Sequence, residues 1–153
     1  MKRLQKLINV SRYLRTFRVP CYQDIAPIRV VDGENATSCL SKAGGKQLLI
    51  ALPEGQTFGP NTDTFSENVS LAFFALSKIN GPAKTQELTD QTYDDLLQLC
   101  QASLEKLASD LLGGPADKGC PLLAGLSITE YNVTPIFSAF GGWSGWSVEL
   151  TLE

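Results

Sequence analysis

From Trp146 to Glu153 apolar and polar residues alternate without a break. Trp146, Val148, Leu150 and Leu152 fall on one side, and Ser147, Glu149, Thr151 and Glu153 on the other. A period of two predicts a strand with one buried and one solvated face. A second extended stretch, Leu126 to Phe140, lies just upstream and joins it through Gly141 and Gly142, so the two predict a β-hairpin closing a sheet. The chain is therefore expected to carry no functional tail after its last strand, and its activity is expected from the folded body, its surface or the N-terminal segment.

The same patterning orders the rest of the chain. Leu4, Leu7, Ile8, Leu14 and Phe17 recur at three-, four- and seven-residue spacings, which predicts an amphipathic helix stopped near Pro20. Cys21 to Gly45 reads as mostly loop, with an Asp32-Gly33 turn signal and one edge strand at Ile28 to Val31. Lys46 to Leu52 (KQLLIAL) is a continuous apolar run, expected to be covered on both faces at the sheet centre. Glu54 to Ser66 reads as a long polar loop, Glu67 to Lys78 as a strand, and Asn80-Gly81-Pro82 as its end. Thr89 to Leu112 is the clearest helix. Tyr93, Leu96, Leu97, Cys100, Leu104, Leu107, Ala108 and Leu111 keep helical spacing, Thr89 is placed to cap, and Gly113-Gly114-Pro115 supplies a stop. The expected fold is α+β, an antiparallel sheet of about four to five strands with the N-terminal and long helices packed on it, in the order α-β-β-α-β-β. One domain is expected over 1–153, with 1–20 a basic amphipathic helix or arm and 46–153 the core sheet and long helix.

Charge changes that picture at one end. The net charge is −3, yet residues 1–20 hold Lys2, Arg3, Lys6, Arg12, Arg15 and Arg18 and no acid, while the rest carries seven basic and sixteen acidic residues. The first twenty residues are thus +6 and the remainder −9. A basic helix on an acidic body suits three roles: a solvated helix face, docking on an acidic neighbour such as a second copy, or contact with nucleic acid or membrane. An organelle presequence shares this composition, whereas a secretory signal is not expected, because arginines interrupt the segment where an apolar run is required. No apolar run reaches membrane-spanning length.

Candidate chemistry is sparse. The chain has no histidine, and Cys21, Cys39, Cys100 and Cys120 form no C-x-x-C pair, so neither a zinc site nor a disulfide framework is expected. Asp94 and Asp95 point about 100° apart on a helix, which suits a solvated first turn and not a paired-carboxylate site. No phosphate-binding glycine pattern precedes a helix. No catalytic residue, metal or cofactor is expected. Trp143 and Trp146 beside Gly141, Gly142 and Gly145 are left between core, subunit interface and ligand stacking. Ser147, Glu149 and Thr151 are left between a solvated face and a row that pairs with another chain if the strand is an edge.

The run LLIALPE (Leu48 to Glu54), the strand ENVSLAFFALSK, the helix TDQTYDDLLQLCQASLEKLASDLL and the ending ITEYNVTPIFSAFGGWSGWSVELTLE together resemble the small tail-terminator and neck proteins of tailed bacteriophages. More narrowly, they are similar to virion-protein sequences from phages and prophages of Bacteroidetes-type gut bacteria. The resemblance covers roughly residues 46–153, and the basic N-terminal helix has no counterpart in the family's pattern. It implies a non-enzymatic structural protein forming a homo-oligomeric ring, usually a hexamer, that joins the tail tube to the head connector. Tail-tube, sheath, neck or portal proteins would be its partners, in the virion and, during assembly, in the host cytoplasm. The interface expected from residues and resemblance together comprises Lys2, Arg3, Lys6, Arg12, Arg15, Arg18, Trp143, Trp146 and Glu149. The competing classes are a nucleic-acid-binding module using the basic helix, which the acidic body disfavours, and a small-ligand-binding domain beside the tryptophans.

Overall fold

The computed structural model describes residues 4–58, 66–78, 89–111 and 120–153. Among these the chain order is α1 (Gln5–Arg15), β1 (Ile28–Val30), α2 (Gly33–Leu40), β2 (Lys46–Ala51), β3 (Glu54–Phe58), β4 (Ser66–Lys78), α3 (Asp90–Leu111), β5 (Ile128–Ala139) and β6 (Trp143–Leu152). Short 3₁₀ turns at Pro20–Tyr22 and Pro121–Leu123 link elements. The fold is α+β, as the patterning predicted, with six strands in the sheet and an extra helix.

The sheet runs β1-β2-β4-β6-β5, with β3 also pairing β4. The strand β4 is its centre, which corrects the expectation for 46–52. The thirteen residues of β4 accept β2 and β3 in succession along one edge and β6 along the other. The pairs Ile50↔Phe73 and Glu54↔Ser70 differ by one residue in register, so β2 and β3 form one long strand bulged at Leu52-Pro53. Glu54 to Phe58 is therefore strand where loop was expected, and residues 59–65 lie outside the described residues. Only β1 is parallel to its neighbour.

Two cores fill the two faces. The larger sets Leu48, Ile50, Val69, Leu71, Phe73, Val148, Leu150 and Leu152 against Val10, Tyr13, Leu14 and Phe17 of the N-terminal segment and Leu96, Leu99, Cys100 and Leu107 of α3. A side chain of this size contributes roughly 1.5–3 kcal/mol when fully buried, so α1 is part of the core and not a detachable arm. The smaller core holds Val30, Ala36, Leu40, Leu49, Leu76 and Trp143 under α2. Residues 48–50 are covered on both faces, as their apolar run implied, because Leu48 and Ile50 enter one core and Leu49 the other.

The helix α2 was not expected in 21–45. Asp32, read as a turn residue, is its N-cap and accepts from Asn35 N at 2.8 Å. In α3 the cap was legible, with Thr89 Oγ1 accepting from Thr92 N at 3.2 Å. The buried stripe of α3 is rotated from the expected one. Leu97 is exposed, while Leu99 and Ser103 are buried, the latter donating to Leu99 O at 2.9 Å. Tyr13 of α1 donates to Asp110 of α3 at 2.5 Å, clipping the helices together, and Lys106, one turn earlier on α3, pairs with the same carboxylate at 3.2 Å. Burial, then the Asp110 carboxylate, push the Tyr13 hydroxyl well above its ordinary titration range.

The C-terminal hairpin forms as expected, but its members differ from expectation. The strand β6 starts at Trp143 and lies between β4 and β5, so the terminal strand is interior and β5 is the edge.

Candidate subunit interface

Along α1, Leu4, Ile8, Arg12 and Arg15 fall at i, i+4, i+8 and i+11, a single stripe of the helix surface. The stripe faces away from the core: Leu4 is 61% exposed and Ile8 40%, and both arginines are exposed. Together with Leu52 and Pro53 they line a groove of about 480 Å³. Leu7, on the inner side, reaches toward Gly55, where an added Cβ would meet Leu7 Cδ2 at 3.3 Å, so this end of α1 lies over β3.

On the opposite flank, α3 packs on β4 and β6, and its far side meets β5 at a second groove of about 600 Å³. Leu104, Ala108, Ile128 and Tyr131 supply its apolar lining and Glu105 stands among them, while Glu130, paired with Thr151 on the bulged start of β5, borders both this groove and a depression on the opposite face. The strand β5 is exposed over most of its length. Tyr131 is 57% exposed, Phe137 49% and Val133 36%, although Tyr131 and Val133 pair with buried Leu150 and Val148. Pro135 lies within the strand opposite Trp146, and bulges or irregularities fall between Ile128 and Glu130 and between Ile136 and Ala139.

The residues expected at an interface separate into groups. Lys2 and Arg3 lie outside the described residues. Lys6 is half-buried, while Arg12, Arg15 and Arg18 are exposed, with Arg18 donating to Gln23 O at 3.4 Å. Trp143 is corrected: it is 1% exposed and presents no surface, because it packs with Leu40, Leu49 and Leu76 in the smaller core under α2. Trp146 is half-buried, stacked edge-on against Tyr93 with ring centroids 6.4 Å apart, and donates from Nε1 to Tyr93 O at 3.0 Å. Its indole is committed to fixing α3 on the sheet. Glu149 is exposed on the other face, in a polar depression of about 350 Å³ shared with Glu54, Glu130, Asn132 and Thr151. Ser147, expected to be wet, is buried, and Thr151 is half-buried.

Sequence reasoning missed the groove between α3 and β5. Tyr131, Val133 and Phe137 in an extended stretch carried the signal, but the alternation of the strand assigns such residues to a core. Among the described residues no group of three or more His, Cys, Asp or Glu side chains is placed to hold a metal ion, and all four cysteines are unpaired. The Cys100 thiol is pushed up to about 11 by burial. No helix among the described residues is long and apolar enough to cross a membrane. No protein-family model matches this chain, and no curated protein matches it.

Proposed function

We propose that this chain is a structural assembly protein working as one copy in a closed homo-oligomeric ring, of the kind that caps the tail tube of a tailed bacteriophage and joins it to the head connector. The observation that carries the assembly part is β5, a twelve-residue edge strand with Tyr131, Val133 and Phe137 exposed. Large apolar side chains gathered on an edge strand favour contact with a further chain. The acidic body with its basic helix supports the same reading, since unlike charges on separate surfaces favour head-to-tail contact. The virion setting draws on the likeness of residues 46–153 to tail-terminator and neck proteins, and its partners would be tail-tube, sheath, neck or portal proteins.

Native mass spectrometry at low and high salt, with negative-stain electron microscopy of the same sample, tests the assembly. A single discrete oligomer, seen end-on as a ring, is expected. A strict monomer under all conditions overturns the reading. Genes for portal, capsid and tail-tube proteins beside this one would support the virion setting, and their absence would count against it.

A further inference from the structure

The two grooves are opposite in charge and alike in their apolar lining. One is bordered by Arg12 and Arg15 and the other by Glu105 and Glu130. The ion pairs among the described residues, Lys46–Asp95 and Lys106–Asp110, use none of these four groups. We infer that the grooves are the two halves of one interface: the exposed stripe of α1 from one copy seats between α3 and β5 of the next, with Arg12 and Arg15 meeting Glu105 and Glu130. This rests on the assembly reading above and adds which surfaces meet.

Three features favour a second copy as the occupant. An amphipathic helix presenting an i, i+4 apolar pair has the form that docks into an apolar groove, and Leu4 and Ile8 are such a pair. The flanking charges are complementary, which favours a defined register and speeds encounter. The position of the grooves supplies the third. One lies at the β3 flank and the other at the β5 flank, three strand spacings apart, or about 14 Å. A copy cannot dock its own stripe into its own groove, because β4 and β6 with their covering helices lie between. A contact between two different surfaces repeats from copy to copy and closes into a ring when its rotation allows.

Charge reversal tests this. Arg12→Glu with Arg15→Glu makes both surfaces acidic, and Glu105→Arg with Glu130→Arg makes both basic. Each double variant alone should lose assembly, its association weakened roughly tenfold or more, while circular dichroism remains native. An equimolar mixture of the two should assemble again, because every acidic stripe then finds a basic groove and every basic stripe an acidic one. Leu4→Ser with Ile8→Ser, which leaves the core untouched, should also yield monomer and serves if a charge variant does not fold. Assembly retained in either charge variant, or folded variants that fail to reassemble on mixing, overturns the inference while leaving the assembly reading intact. A wild-type chain that is monomeric throughout removes both. Duplex DNA binding lost in Arg12→Glu with Arg15→Glu, with the oligomer unchanged, would assign the arginines to nucleic acid and overturn the inference.

Discussion

The two strands of the C-terminal hairpin share a register, yet β6 is buried almost throughout and β5 is exposed almost throughout. Their sequences differ less than their surroundings. β6 has a strand on each side, α3 over one face and the smaller core beneath its Trp143 end. β5 has a strand on one side and is reached by α3 only at its beginning. Alternation thus identifies a strand, but neighbouring elements decide which residues it buries. A mutation in β6 should therefore be read out in folding, and one in β5 in association.

Gly145→Ala is the most damaging change expected in β6. Gly145 sits at φ +154°, and a Cβ there would fall 2.0 Å from Ala75 O and 3.0 Å from Leu96 Cδ1. The backbone of β4 cannot yield without breaking the central ladder, so chemical denaturation should register a loss of roughly 4 kcal/mol or more. A loss under 1 kcal/mol would mean the hairpin is looser than its register implies. Trp143→Ala comes next, with about 3–5 kcal/mol expected from the emptied smaller core, and unchanged stability would show that the smaller core does not depend on it.

Tyr13→Phe should cost about 1 kcal/mol at neutral pH through the lost Asp110 hydrogen bond. The folded state holds the Tyr13 hydroxyl protonated far above its ordinary value of 10.0, so the stability this group contributes is complete below pH 10.0 and declines above it as the unfolded chain releases the proton. The variant should therefore lose less stability than wild type between neutral pH and alkaline pH, and equal alkaline slopes in urea titrations would contradict this. Tyr131→Ser with Phe137→Ser should change stability least, within about 0.5 kcal/mol, while lowering the oligomeric fraction at a given concentration. A destabilisation as large as that of Trp143→Ala would erase the contrast between the two strands.

The elements legible in the sequence were those whose own periodicity carries them. The helices α1 and α3 and the strands β4 and β6 form where their spacing marks them, but the buried faces are only partly those expected. In α1 Leu14 and, just beyond it, Phe17 are buried while Leu4 and Ile8 are exposed, in α3 Leu97 gives way to Leu99, and in β6 Ser147 is buried. Two elements were not legible. The segment Glu54–Phe58 (EGQTF) is extended because β4 pairs with it, and its glycine and polar residues favour no strand locally. In α2, GENATSCL has few strong helix formers, and Asp32 reads equally well as turn or cap until Asn35 is seen to donate to it. The basic half of the candidate interface was visible as charge, whereas its acidic half joins residues more than twenty positions apart and emerges only when α3 and β5 are set side by side.

Pro135 lends the exposed strand a second consequence. It has no N–H to offer, and a bulge bends the chain on either side of it, so the free edge of β5 lacks a continuous ladder for another sheet to extend. Fibril growth by strand addition is discouraged within the covalent structure itself. Any contact another chain makes at this edge must therefore rest on side chains such as Tyr131, Val133 and Phe137 and not on an extended backbone ladder.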